Sequence, residues 1–396
     1  MSEDRKIIEG IKYCLEESQW YQKMTPIKND NVPADIKKAK KIVKISLPQE
    51  NLLDVFKFLD FDQLLSFQQT SFYFKNIVDK YGKELARKKY DWLGFSRISD
   101  LKFGENNFVE IQPHLYDFEL SKRLEQKWIR GIENGISTFL TSFEYGNIDT
   151  VVCELGEFNY NWKRGLYLIK LPKFPKNLEQ MAIARYLFKL IFNCAFQYSE
   201  NHDMIRINPQ MIDLLFDYEN ETTTTNFPLQ IHLQGAELSV RCHTSLYFIW
   251  NYLVCNYCSV NLYFNNEERS MDILCKILTK GGNKFLHIIF HHLYSLQSST
   301  LYNFIIKHIE TSQEITKMVK KIELQNISGL RVSSDRAENI KVEINEKLKF
   351  TTFQIANKHN PKIKFSIRIK EDKDQSDHVE GGNRVLTRVA VIKRID

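Results

Sequence analysis

The chain has 396 residues, 43% of them hydrophobic and 26% charged, which excludes a disordered protein and leaves room for two or three domains. A net charge of +6, without a basic stripe interleaved with aromatics, gives nucleic acid no support as the main partner. Glycine is sparse, 15 residues against 27 Phe and 18 Tyr, so a backbone has few places to close on a phosphate. The seven cysteines, Cys14, Cys153, Cys194, Cys242, Cys255, Cys258 and Cys275, are odd in number and irregularly spaced. That pattern fits reduced thiols in an intracellular chain rather than a disulfide framework. The opening MSEDRKIIEG has no apolar stretch of signal-peptide length, and the longest apolar run, near Leu246 to Cys255, is too short to span a bilayer. The expectation is a cytoplasmic or nuclear protein with no membrane contact.

Residues 1–45 form a polar arm and linker. Ile7, Ile8, Ile11 and Leu15 predict an amphipathic helix over 3–24, and the polar stretch 25–44 contains the run Lys37 to Lys41, read as solvated linker rather than a localisation patch. Residues 46–90 change character. Pro48 suits a first helical turn, and Leu52, Val55, Phe56 and Leu59 recur at helical spacing. Asp60 and Gln63 have the spacing of a capping box and predict a second helix carrying Leu64, Leu65 and Phe67. Thr70 or Ser71 caps a third, with Phe74, Ile77, Val78 and Tyr81 inward. Three short helices with almost no loop have little core of their own, so this unit needs a neighbour or a partner.

Residues 91–147 read as a mostly helical connector, with a loop over 96–114 and a helix over 118–140 in which Leu120, Leu124, Trp128 and Ile132 share a face. Residues 148–396 read as an α/β domain. Strands are expected at 151–155, 166–169, 229–233, 259–264, 285–290 and 321–324, with helices at 178–198, 245–257, 267–279 and 300–309 between them. Long connections predict parallel strands with helices outside. The spacing also resembles irregular repeats stacked in a leucine-rich-repeat-like solenoid. Alternating residues at 349–356, 363–370 and 385–392 predict an antiparallel end, with a charged loop over 371–383.

The search for chemistry finds little. Cys255 and Cys258 form one CxxC, half a zinc site, with Cys242, His243 and Cys275 near in sequence; the plainer reading is buried thiols at the end of an apolar helix. His287 and His291 in FLHIIFHH lack the Glu of HExxH; on a strand they share one face and His292 takes the other. No GxxxxGK[ST], GxGxxG or GxSxG is present, Gly281-Gly282 reads as a helix C-cap, and Thr222 to Thr225 as a polar loop. No catalytic centre, metal or cofactor is expected, and the chain is not read as an enzyme.

The 46–90 segment resembles the F-box motif from Leu47 to about Ile77, through Leu47-Pro48, Glu50, Leu52-Leu53, Val55-Phe56, Phe58-Leu59, Leu64-Leu65 and Ser71, with Phe74 where the family usually has Trp. Phe61 departs from a position that is often Pro, and Gln69 from an apolar one. The layout is similar to the expanded roundworm F-box proteins: a short arm, an F-box and a long divergent C-terminal region. With the residue patterns above, the fold class is α+β: a three-helix F-box, then an α/β domain, either an irregular leucine-rich-repeat-like solenoid or a closed sheet, ending in antiparallel strands. The resemblance implies docking on the Skp adaptor and, through it, a cullin scaffold and RING ubiquitin ligase. The adaptor-contacting residues it implies are Leu47, Pro48, Leu52, Leu53, Val55, Phe56, Leu59, Leu64 and Leu65, some of which must also hold the unit together. The chain would then be a substrate-recognition subunit whose C-terminal domain binds an unidentified target protein; the alternative is a non-degradative interaction scaffold.

Overall fold

A computed structural model describes residues 48–395 apart from 83, 102–107, 142–148, 157–165, 201–204, 217–228, 264–267, 293–295, 327–333, 346–347 and 373–388. The arm with its expected helix over 3–24, Leu47, the turn at 159–165, the Thr222–Thr225 loop and residues 373–383 of the charged loop lie outside the described residues.

Three helices open the described chain: α1 (Gln49–Phe56), α2 (Phe61–Thr70) and α3 (Phe72–Tyr81). The capping box is present. The Gln63 N–H donates to Asp60 Oδ1 at 2.8 Å, and the Asp60 N–H donates to Gln63 Oε1 at 3.0 Å. Ser71, rather than Thr70, caps α3, accepting from the Phe74 N–H at 3.2 Å. These caps place α2 and α3 against α1 around Leu52, Phe56, Leu64, Ile77, Val78 and Leu85, a core separate from the main one. Phe56, Phe67 and Phe74 pack with ring centroids 5.6–5.9 Å apart.

From Tyr81, at the end of α3, the chain passes almost directly into β1 (Lys88–Arg97). The expected connector is therefore no separate unit. β1 is an internal strand of a 12-stranded sheet of order β11-β12-β13-β14-β10-β9-β8-β7-β5-β1-β3-β4. The other strands are β3 (Thr150–Gly156), β4 (Leu166–Pro172), β5 (Cys194–Glu200), β7 (Ile231–Val240), β8 (Leu253–Leu262), β9 (Phe285–His291), β10 (Lys321–Gln325), β11 (Glu338–Ile344), β12 (Leu348–Ala356), β13 (Lys364–Asp372) and β14 (Val389–Ile395). A small ribbon pairs β2 (Phe139–Leu140) with β6 (Arg206–Ile207). The helices are α4 (Pro113–Tyr116), α5 (Lys122–Glu133), α6 (Leu178–Asn193), α7 (Pro209–Leu215), α8 (His243–Tyr252), α9 (Glu268–Lys280) and α10 (Leu296–Thr311).

The strands β1, β5, β7, β8, β9 and β10 run parallel, as the long connections predict. Their crossover helices pack beside one another in one layer on one face. Both flanks are antiparallel, β1-β3-β4 on one side and β10-β14-β13-β12-β11 on the other. A leucine-rich-repeat-like solenoid is not what this mixed sheet shows. Two helix ends also differ from the sequence reading. The helix expected over 178–198 stops at Asn193 and becomes β5 at Cys194; the one over 245–257 stops at Tyr252 and becomes β8 at Leu253. Apolar residues continue across both junctions with no Gly or Pro to mark them, so strand pairing sets the boundary.

The parallel strands share one irregularity. Buried residues alternate, then skip one: Tyr90 then Leu93 in β1, Leu233 then Ala236 in β7, Cys255 then Cys258 in β8, Phe285 then Ile288 in β9. The skipped pairs are in register, Trp92↔Tyr198↔Gly235↔Tyr257↔His287, so β1, β5, β7, β8 and β9 each turn two successive residues to the open face at the same level, while β10 alternates regularly. The CxxC is this spacing and nothing more. Both thiols are buried on a strand rather than at a helix end, and a hydrogen bond with Cys255, together with burial, pushes the Cys258 thiol well up.

Gly281-Gly282 joins α9 to β9 without a left-handed C-cap, since neither residue has positive φ. The constraint is space: a Cβ on Gly282 would lie 2.5 Å from the Met318 carbonyl oxygen and 2.7 Å from that of Lys317. Gly282→Ala is expected to lower the unfolding free energy of the full-length protein by about 1–3 kcal/mol in urea. An unchanged midpoint would mean that this close approach does not constrain the sheet.

Candidate docking and recognition surfaces

The three-helix unit divides its apolar residues between core and surface. Of those assigned to the adaptor surface by resemblance, Leu52, Phe56 and Leu64 are buried inside the unit, where they hold the helices together, as some of that set were expected to do. Pro48 and Val55 are exposed, and Leu53, Leu59 and Leu65 are half-buried. Leu47 lies outside the described residues. Sequence reasoning missed four of the most exposed aromatics: Phe58 at 89% exposure, Phe72 at 75%, and Tyr73 and Phe67 at lower values. Phe58 follows the α1 face by two positions and Phe72 opens α3, where helical periodicity alone assigns no inward role. A surface this apolar on a unit this small marks an interaction site.

The unit is tied to the sheet domain. Leu85 belongs to its core, and two residues later the Arg87 guanidinium donates to the Phe192 carbonyl at the end of α6. Burial lowers the Arg87 pKa.

The second surface is the sheet face away from the helices. One row across it carries Trp92, Tyr198, Gly235, Tyr257, His287 and Lys321. The Tyr198 ring fills the space above Gly235, where a Cβ would come within 3.0 Å of it. Trp92 and Tyr198 lie 5.8 Å apart, and Tyr257 meets His287 edge-on at 5.1 Å. The next row carries Glu154, Gly94, Glu237, Ser259, Ile289 and Glu323, with Glu200 paired to Glu237. Tyr198 Oη donates to Glu237 at 3.4 Å, and His287 Nε2 lies 3.0 Å from Glu323 Oε1. Burial, then Glu237 and Glu200, push the Tyr198 phenol up to about 12; burial, then Glu323 and Glu237, raise that of Tyr257. The negative potential is thus felt by the aromatic row. His287 and His291 share this face, as their spacing predicts, and burial lowers the pKa of each. His291 lies 2.9 Å from Ser259 Oγ and the His292 ring stacks on Tyr263. Among the described residues no group of three or more His, Cys, Asp or Glu is placed to hold a metal ion, and no helix is long and apolar enough to cross a membrane.

The described chain is thus a three-helix unit joined to a mixed sheet domain. Residues 45–84 match the F-box domain, and residues 109–265 match a domain of unknown function (DUF8381). The chain thus carries an F-box domain, and the C-terminal match is consistent with an F-box protein that has a divergent C-terminal region. No curated protein and no solved structure matches it significantly.

His232 on β7 provides a test of this region. Its Nε2 is buried with no hydrogen-bond partner among the described residues, and burial, with Arg87 adding to the effect, pulls its pKa down to about 4. The unfolded chain, with a pKa near 6.5, binds the proton first, so stability falls as pH drops from about 6.5 to about 4. His232→Leu is expected to flatten that part of the pH–stability curve; an unchanged slope between pH 7 and 4 would show that His232 does not set it.

Proposed function

We propose that this chain is a substrate-recognition subunit of a Skp–cullin–F-box ubiquitin ligase. Its F-box docks on the Skp adaptor, its sheet domain holds a target protein, and other subunits transfer ubiquitin. The chain performs no bond chemistry; it supplies proximity and orientation. It acts in the cytoplasm, the nucleus or both. The observation that carries this reading is the F-box match at 45–84 together with the exposed Val55, Phe58 and Phe72 on a unit whose core is already filled by Leu52, Phe56 and Leu64. F-box domains typically bind Skp adaptors, and exposed aromatics on short helices suit docking against partner helices.

The test is a pulldown of the full-length protein with purified Skp adaptor. Binding is expected at micromolar concentration or below. Val55→Ala with Phe58→Ala is expected to weaken it roughly tenfold or more, with circular dichroism unchanged because both side chains are exposed. Phe56→Ala is expected to unfold the helical unit as well. Absence of wild-type binding overturns the docking reading.

For the target, the open face favours a basic, extended segment. Glutamates in one row beside Trp92, Tyr198 and Tyr257 offer charge pairing and cation–π contact on a chain whose net charge is +6. On an array of extended peptides, Lys/Arg-rich sequences are expected to bind the full-length protein in a salt-sensitive manner, and Glu237→Lys to reduce that binding about tenfold, a loss of about 1.4 kcal/mol. Equal binding of acidic and basic peptides counts against this face. The scaffold alternative is separated by abundance: a bound partner whose level rises on removal of this protein identifies a receptor, and an unchanged level a scaffold.

A further inference from the structure

The 12-stranded sheet has two edges, β4 and β11. At β4 the chain covers its own edge: Phe108 bridges Leu168 in parallel, and the Val109 N–H donates to the Leu168 carbonyl at 2.8 Å. At β11 all seven residues from Glu338 to Ile344 are exposed, and no described strand pairs with their outer side. Such an edge presents unpaired backbone N–H and C=O groups, a template for another strand.

The edge also carries an apolar stripe. Ile340, Val342 and Ile344 alternate along β11, and each is more than half exposed. Val342 pairs with Thr351 of β12, whose side chain is buried with that of Phe353, so the stripe lies on the helix side of the sheet. The helix layer ends one strand short of it. α10 packs over β12, held by Asn357 Nδ2, which donates to the Ile309 and Ser312 carbonyls at 2.7 and 3.0 Å. On the other side of β11, Lys341 and Glu343 extend into solvent. The first residues of the strand are protected from pairing. Asn339 has a φ of 54°, the register against β12 shifts between Glu338 and Lys341, and Asn339 Nδ2 donates to Gln354 Oε1 at 3.1 Å. A bulge of this kind bends an edge away from a partner. It leaves residues 340–344 able to pair.

Those five residues are complementary to themselves. In an antiparallel pair about a two-fold axis at Val342, Val342 meets Val342, Ile340 meets Ile344, and Lys341 meets Glu343, the last two pairs each occurring twice. Moving the axis one residue either way sets Lys341 against Lys341 or Glu343 against Glu343, and like charges directly opposite are destabilising. We propose that β11 is a homodimerisation edge, through which two copies of this chain join residues 340–344 into one continuous sheet. The axis stands perpendicular to the sheet, so both helix layers lie on one side and both open faces on the other. A ribbon of five residues buries less than the ~1,200 Å² of a standard interface, so dissociation in the micromolar range is expected. The pairing rests on neither the adaptor nor the target.

Sedimentation velocity of the full-length protein across the micromolar range is the test, and a monomer–dimer equilibrium is expected. Val342→Lys sets two ammonium groups face to face on the axis. It is expected to weaken dimerisation roughly tenfold or more, with circular dichroism unchanged because the side chain is exposed. Lys341→Glu and Glu343→Lys, each alone, set like charges opposite one another and are expected to weaken it several-fold. An equimolar mixture of those two variants restores both charge pairs and is expected to dimerise as the wild type does. A monomer at every concentration overturns the proposal. So does a dimer that survives Val342→Lys, which uses another surface, and so does a mixture that dimerises no better than its two components.

Discussion

The sheet domain depends on a shared slip in strand phase. A single strand with an extra residue would bulge and lose register with its neighbours. Here β1, β5, β7, β8 and β9 each place two successive residues on the open side at the same level, so register survives across all of them. Above the slip, Leu93, Ala236, Cys258 and Ile288 face the helices; below it, Tyr90, Phe196, Leu233, Cys255 and Phe285 do so. A change that removed the slip from one strand would turn that strand's remaining core residues to the open face.

The same slip arranges the open face of the sheet. It sets Trp92, Tyr198, Tyr257 and His287 in one row, and places the glutamate row one step beyond. These residues come from strands far apart in sequence, and only the register brings them together. The helical unit shows a different economy. Its few large apolar side chains suffice for one small core, and those left over, Phe58 and Phe72 foremost, remain at the surface. Because Tyr81 lies so close to β1, and Arg87 bonds to the end of α6, the helical unit joins the sheet domain through a short tether.

Much of this was legible in residues. The Asp60–Gln63 capping box and the Ser71 cap mark helix starts through local hydrogen bonds, which need no distant partner. Alternation in β12 and β13 marks strands whose hairpin neighbour is close in sequence. The misread places have one cause: β5 and the start of β8 continue apolar runs that suit helix or strand alike, the mixed run KKYDWLGFSR of β1 has no clear period, and pairing with remote strands decides each. The CxxC misled for the same reason, since its spacing acquires meaning only beside Leu233-x-x-Ala236 and Phe285-x-x-Ile288 in the neighbouring strands.

By itself, the sequence determined the F-box and its helix caps, which rest on contacts between residues near in the chain, and the presence of parallel strands joined by helices, which follows from connections too long for hairpins. Tertiary structure alone decided which F-box hydrophobes are core and which are surface, since that division depends on how three helices close on one another. It alone decided that β1 lies inside the sheet, that four glutamates gather beside an aromatic row, and that Arg206 is buried against Ser245. Each of these is a relation between residues distant in sequence, set by strand register and by the exclusion of water.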